Sequence, residues 1–294
     1  MPAGTDGPDS TASGKSRFDD IYDQPDPRAY YARLSPLEYE IPHHAQAVFR
    51  RAAAERAATT DGAEGSPVVL DACCSYGINA ALLNHDLTLA DLYAHYTSPE
   101  ARRLSTGELT AWDKAFYAEH RRPDAAPVIG LDVAARAVRY ARAVGLLDAA
   151  FTDNLEQEPS PGPGLGRAMA DVGLITITGG GSYLTRRTFD ALLGAARRPL
   201  WVSAFVLRTV SYADIADALA AHGLRTTSDP TRTYPQRLFT DARERQYAIE
   251  AVRALGADPE GRESAGRFHT VLYESRPASP TDTAAAPWRP EGHP

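Results

Sequence analysis

Residues 68–82 read Val-Val-Leu-Asp-Ala-Cys-Cys-Ser-Tyr-Gly-Ile-Asn-Ala-Ala-Leu. The run Val68–Leu70 suits a short buried strand, and it ends on an acid, Asp71. Small residues, Cys73 and Ser75, and then Gly77 make a tight turn, after which Ile78 onward reads as helix. A strand leading through a tight turn into a helix aims backbone N–H groups and a helix dipole at whatever lies beyond the strand end.

The same unit recurs along the chain. Pro127-Val-Ile-Gly-Leu-Asp132 is a second strand, and the helix after it ends at Gly145. Residues 171–178, Asp-Val-Gly-Leu-Ile-Thr-Ile-Thr, form a further strand followed by Gly179-Gly180-Gly181, and a helix over 185–196 leads to a strand over 199–210. A helix over Ser211–Ala221 is stopped by Gly223. The closing region reads as two strands, RTTSD and GRFHTVLYES, separated by a helix. Before the first strand, Ala45–Ala58 is a strong helix former. Strands alternating with helices of this length predict an α/β fold with a mostly parallel sheet. Such sheets bind ligands beyond the carboxyl ends of their strands.

The chain has 294 residues, 43% hydrophobic and 23% charged, ordinary values for a globular protein. Lys+Arg number 31 against Asp+Glu 38, a net charge of -7 that argues against a nucleic-acid partner. Two adjacent cysteines, Cys73 and Cys74, cannot build a disulfide framework or a four-ligand zinc site, and no metal-ligand spacing is present. With no secretory segment or apolar span, the expectation is a cytoplasmic protein without membrane contact. Disordered tails are expected at 1–17 and 277–294. Residues 18–44 are expected to form a lid segment, and 45–276 one α/β domain with a helical insertion at about 87–122.

The strand ends carry the candidate chemistry. Asp132 can accept both hydroxyls of a ribose, or alternatively cap the helix after it. Asp153 and Asn154 stand where a further strand should end and can meet an adenine edge. Gly179–Gly181 permit close backbone approach. The tyrosines Tyr22, Tyr30, Tyr31 and Tyr39 crowd the segment before the first core helix, and tyrosine faces attract cations. That segment and the insertion can close over the strand ends and exclude water.

Taken in order, these features resemble the class I S-adenosylmethionine-dependent methyltransferases over roughly residues 45–276. The resemblance implies a Rossmann-like, mostly parallel sheet of seven strands, with S-adenosylmethionine as cofactor and a small molecule as substrate. It implies that Asp71, Cys73, Ser75, Gly77 and Asn79 hold the methionine part, Asp132 the ribose, and Asp153 with Asn154 the adenine. The end of the fourth strand, Thr178 to Tyr183, would then face the acceptor. Tyr22, Tyr31, Thr178, Ser182 and Ser203 are candidate substrate contacts, and Tyr183, His43 or His44 candidate general bases. The family turn commonly reads acid-x-Gly-x-Gly-x-Gly, whereas here Cys73 and Ser75 replace the first two glycines. A left-handed conformation at either position would be costly.

The primary expectation is methyl transfer to an O, N or C nucleophile of a small molecule, driven by proximity and orientation. One alternative is a cyclase of the azetidine-2-carboxylate synthase kind, on the same fold, yielding the cyclic amino acid and methylthioadenosine. Another is a degenerate binding domain without catalysis. A nicotinamide-dependent oxidoreductase is disfavoured, because the turn is not Gly-x-Gly-x-x-Gly.

Overall fold

A computed structural model describes residues 18–59 and 67–278. The tail expected at 1–17 and most of that at 277–294 lie outside these residues. The described elements begin with α1 (Asp19–Tyr22), α2 (Arg28–Leu34) and the long α3 (Ile41–Ala58). Then follow β1 (Val68–Ala72), α4 (Ile78–Asn84), α5 (Leu89–Thr97), α6 (Pro99–Arg103), α7 (Thr106–His120) and β2 (Val128–Leu131). Next are α8 (Ala135–Ala143), β3 (Ala149–Phe151), α9 (Pro163–Ala168), β4 (Val172–Ile177), α10 (Arg186–Ala195) and β5 (Trp201–Leu207). The chain closes with α11 (Ala213–Ala221), β6 (Leu224–Leu238), α12 (Ala242–Ala254) and β7 (Arg267–Pro277).

The strands make one seven-stranded sheet in the order β3-β2-β1-β4-β5-β7-β6. β1 to β5 run parallel, and β7 is antiparallel to both its neighbours. In register, Asp71 sits opposite Gly130 on one side and Thr176 on the other, so the carboxyl ends of β1, β2 and β4 line up. The sheet is Rossmann-like and mixed α/β, as expected from the alternation of strands and helices.

Period-two burial explains both cores. Val69, Leu174 and Phe205 join α3, α4, α8 and the insertion in one apolar cluster. Leu70, Ile175 and Val206 join α10 and α11 in the other. Every residue of β4 and β5 is buried, as in parallel strands covered on both faces.

The helices α5 to α7 are inserted between α4 and β2. Thr88 with Asp91 and Ser105 with Glu108 form capping boxes at the starts of α5 and α7. Inside the insertion the fully buried Asp113 accepts from His95 Nε2 (2.7 Å), Tyr96 Oη (2.7 Å) and Tyr140 Oη (2.5 Å). Because Tyr140 lies on α8, this carboxylate ties the insertion to the sheet domain. The segment 18–40 is tied to both. Arg28 donates to the carbonyls of Ala101 and Leu104, the Tyr31 ring stacks on Tyr96, and Tyr76 Oη accepts from the Gln24 amide at 2.8 Å.

Several boundaries differ from the sequence reading: the strand expected over 199–210 spans only Trp201–Leu207, and two other differences have clear physical causes. α3 starts at Ile41, four residues before Ala45, because Pro42 fits the first helical turn. β6 continues well past RTTSD through Pro230 and Pro235, which is tolerated because it is the edge strand.

Candidate functional site

A cavity of about 550 Å3 lies over the carboxyl ends of β1 to β4. Its floor comes from the turns after those strands and its roof from the segment preceding α3 together with the first turn of α3. Cys73 and Ser75 contribute from the first turn with Asn79 from the start of α4, Asp132 to Ala134 from the second turn, and Asp153 to Glu156 from the third. Thr178, Gly179, Gly180 and Tyr183 follow β4, and Tyr22, Tyr30, Tyr39 and Pro42 close the top.

The first turn is the unusual part. Cys73 has φ 57°, Ser75 φ 48° and Gly77 φ 78°. All three are left-handed, although only one is glycine, at a cost of roughly 1–2 kcal/mol for each non-glycine residue. Gly77 caps α4 and does not line the cavity; a Cβ there would press on Ala141 and Leu146 at 3.2–3.3 Å. The Ser75 amide donates to Asp132 Oδ2 (2.8 Å) and the Ala134 amide to Asp132 Oδ1 (2.9 Å). Burial raises the Asp132 carboxyl above its ordinary value, while those two amides pull it down. The Ser75 side chain is buried, and its Oγ has no hydrogen-bond partner in the protein.

Asp71 lies beneath the floor and does not line the cavity. Its Oδ1 accepts from Asn79 Nδ2 (2.9 Å) and Thr176 Oγ1 (3.2 Å), while Oδ2 has no partner. Burial pushes this carboxyl up to about 7, against those two hydrogen bonds. Asn79 Nδ2 also donates to Thr178 Oγ1 at 3.2 Å, so a buried chain links β1 to the turn after β4.

That later turn is a close approach. A Cβ on Gly180 would overlap the Cys73 side chain, and one on Gly179 would sit 2.5 Å from Tyr39 Oη. Both glycines therefore let β1's turn and the roof press onto the backbone. Burial raises the phenols of Tyr22, Tyr30 and Tyr39, so the roof is uncharged. Burial also raises both thiols, Cys73 and Cys74, which makes them small neutral groups rather than nucleophiles.

On the β3 side, Asp153 Oδ1 accepts from the Gly162 amide (2.6 Å) and Asn154 Oδ1 from the Gln157 amide (3.3 Å). Glu156 accepts from Thr188 Oγ1 (2.6 Å) and from Thr185 (2.7–2.8 Å). Burial alone would raise Glu156, but these bonds hold it below its usual value. The rim is exposed and apolar: Val133 is 63% and Tyr183 58% accessible.

Several expected residues lie elsewhere. His43 is exposed, and His44 packs on Tyr234 near Glu40, because their helix starts at Ile41 and carries both outside the cavity. Tyr31 is buried among Tyr30, Tyr93 and Tyr96 and works as packing. Ser203 is enclosed within β5, and the Ser182 Oγ is buried without a partner away from the lining. Conversely, Tyr30, Tyr39, Asp23 and Glu156 line the cavity without having been singled out as contacts. The tyrosine cluster before α3 was the signal for the first two. Asp23 follows Tyr22 and Glu156 lies two residues after Asn154, and neither carries a further signal in the sequence.

Among the described residues, no group of three or more His, Cys, Asp or Glu is arranged to hold a metal ion. No described helix is long and apolar enough to cross a membrane.

No protein-family model matches the chain, and no curated protein matches it. Solved structures do. One is a precorrin-6y C5,15-methyltransferase from Geobacter metallireducens GS-15, at 10% identity, covering 78% of this chain and 86% of that one, with a TM-score of 0.37. Another is the magnesium protoporphyrin IX methyltransferase from Synechocystis PCC 6803 with bound SAH, at 15% identity, 79% and 82% coverage and a TM-score of 0.36. The cyclase SpnF is similar at 12% identity, 79% and 80% coverage and a TM-score of 0.37. The fold assignment itself rests on the strand order and the antiparallel β7.

Proposed function

We propose that this cavity binds S-adenosylmethionine and that the protein is a methyltransferase acting on a small-molecule O, N or C nucleophile. One observation carries the reading. The turn after β1 adopts left-handed backbone at positions 73, 75 and 77, where the family pattern has its three glycines, and its Ser75 amide meets the acid that ends β2. The backbone of a ligand-cradling turn is kept although two of its glycines are gone.

The lining suits such a ligand. Asp132 spends one contact per oxygen on backbone amides, which leaves lone pairs for a ribose diol. Asp153 and Asn154 stand at the next strand end for the adenine. Asp23, Asp132, Asp153 and Glu156 give the wall a negative character, and the neutral faces of Tyr22, Tyr30 and Tyr39 favour a cation held away from water. When bound, the cofactor supplies a methyl group activated by a sulfonium leaving group. The chain's own contribution is then to hold, orient and dehydrate, which suits an in-line displacement. At the rim, the exposed Tyr183 would meet an acceptor. A cavity of about 550 Å3 is in the range that encloses one drug-sized ligand, which argues for a small acceptor.

The composition of the lining favours a second reading. Among the described lining residues there is no histidine or lysine to take a proton from an acceptor. S-adenosylmethionine would then be the substrate. Its amino nitrogen would bond to Cγ as the Cγ–S bond breaks, giving azetidine-2-carboxylate, methylthioadenosine and a proton.

Incubation with S-adenosylmethionine alone, followed by mass spectrometry of the products, tests both. Methylthioadenosine with a cyclic amino acid over many turnovers supports cyclisation and overturns methyl transfer. Intact bound ligand, converted to S-adenosylhomocysteine only when an acceptor is added, supports methyl transfer. Neither binding nor product would leave a domain without this chemistry.

A further inference from the structure

We infer that the acceptor is a small molecule carrying a protonated amine, and that Glu156 is the specificity-determining residue whose carboxylate anchors it. The inference rests on the cavity being an S-adenosylmethionine site, and it goes further by naming the acceptor's charge.

The cavity is built against anions. Its described lining holds the carboxyl groups of Asp23, Asp132, Asp153 and Glu156, and no lysine, arginine or histidine. Left-handed turns can bind anions through their backbone amides, but the first turn has spent most of its own. The Cys73 and Cys74 amides donate to the Leu131 carbonyl, the Ser75 amide to Asp132, and the Gly77 amide to the Cys74 carbonyl. Arg237 lines a separate small pocket beside Tyr22 and Tyr39, with two of its nitrogens on the Glu244 carboxylate.

Three of the carboxyl groups belong to the cofactor end. Asp132 and Asp153 are assigned to the ribose and the adenine. Asp23 stands close enough to Asp132 to help raise its carboxyl, and its Oδ1 accepts from the Arg136 amide at the start of α8.

Glu156 is left, and it belongs to the other end. Its Oε1 accepts from Thr188 Oγ1 (2.6 Å) and the Thr185 amide (2.8 Å), and its Oε2 from Thr185 Oγ1 (2.7 Å). These threonines open α10 directly after Tyr183 and Leu184, which line the cavity on the acceptor side. Burial alone would raise this carboxyl, and the threonine bonds hold it below its usual value, so it stays charged. Among the described residues it has no ion-pair partner, and Oε2 keeps lone pairs for a ligand donor.

A carboxylate facing a cavity without a counter-ion attracts a cationic ligand and repels an anionic one. The uncharged rings of Tyr22 and Tyr39 add to the attraction. The ammonium is the anchor, and a separate O, N or C nucleophile of the same molecule takes the methyl. The C–S bond breaks with its electron pair left on sulfur, and the nucleophile's proton leaves to solvent.

Saturation-transfer NMR on protein loaded with S-adenosylhomocysteine tests this. The probes are tyramine, ethanolamine and benzylamine, each beside the analogues in which a hydroxyl or a carboxylate replaces the ammonium. Amines should bind, less well as salt is added, and the carboxylates should not. Glu156→Gln should weaken amine binding about tenfold, the size of one charge-assisted bond, and leave the S-adenosylhomocysteine Kd within about twofold. Glu156→Asp, which keeps the charge, should keep the preference for amines.

The inference is overturned if the carboxylates bind as well as the amines, if no amine binds, or if a folded Glu156→Gln protein binds amines like wild type. Each of those results leaves the cavity reading intact while wild type still binds S-adenosylhomocysteine. Wild-type protein that binds no S-adenosylhomocysteine overturns the cavity reading, and this inference with it.

Discussion

The Ser75 amide donates to Asp132 Oδ2 at 2.8 Å, so the carboxylate that closes β2 also fixes the turn that leaves β1. Two neighbouring strand ends are thereby locked into one wall. Asp132 is doubly placed, toward the protein through two amides and toward the cavity with its remaining lone pairs.

Asp132→Ala should weaken S-adenosylmethionine binding at least tenfold, because charge-assisted hydrogen bonds are worth about 1.5–3 kcal/mol each. Asp132→Asn, which keeps one acceptor oxygen, should lose less. Titration calorimetry on the three proteins checks the order, and an unchanged Kd in Asp132→Ala would remove this residue from the site.

Gly180 and Cys73 should couple. Gly180→Ala forces a Cβ into the Cys73 side chain and should destabilise by about 1–3 kcal/mol. In a Cys73→Gly background the same change should cost much less, since the obstructing atoms are gone. A urea-denaturation double-mutant cycle reads the coupling directly. Additive effects would mean that the two turns do not press together.

Asp71 makes stability depend on pH in a direction opposite to most carboxylates. Its folded pKa, about 7, lies above the ordinary value of 3.8. The folded protein therefore holds the proton more tightly than the unfolded chain between those values. The sign follows: this group's contribution is fully present below about pH 4 and is lost as pH rises toward 7, by on the order of 4 kcal/mol at most. Asp71→Asn retains an oxygen for Asn79 and Thr176 and removes the titration. Relative to wild type it should gain stability between pH 4 and pH 7, measured by denaturant unfolding across that range. A difference independent of pH would contradict the buried carboxyl.

The insertion should depend on Asp113. Asp113→Ala strands the His95, Tyr96 and Tyr140 donors in a dry interior and should cost about 3–5 kcal/mol. Tyr140→Phe removes one donor and should cost about 1 kcal/mol. Urea midpoints test the ranking.

Much of this architecture could be read in the sequence, and the failures have physical causes. β1, β2 and β4 are rich in Val, Ile or Thr and bounded by proline, glycine or acid, and β5 is an apolar run after Pro199, so their existence follows from local pattern. β3 is three half-buried residues, Ala149–Phe151, and only its place in the alternation pointed to it. The sequence puts His43 and His44 in the lid, because the strong helix-forming run begins at Ala45. Pro42 in the first turn carries both into α3 and out of the cavity. The strain at Cys73 and Ser75 was visible only as a conditional: their residue types disfavour left-handed backbone, and the fold imposes it. Tyr31 shows the limit of composition, since it belongs to the same tyrosine cluster as Tyr30 yet stacks on the insertion. Which ring faces a ligand is set by tertiary packing.

The most direct measurement is titration calorimetry of the purified protein with S-adenosylmethionine and S-adenosylhomocysteine. One-to-one binding, weakened at least tenfold in Asp132→Ala and unchanged in His43→Ala, is the expected result. No heat of binding from a folded wild-type protein would contradict the assignment of this cavity.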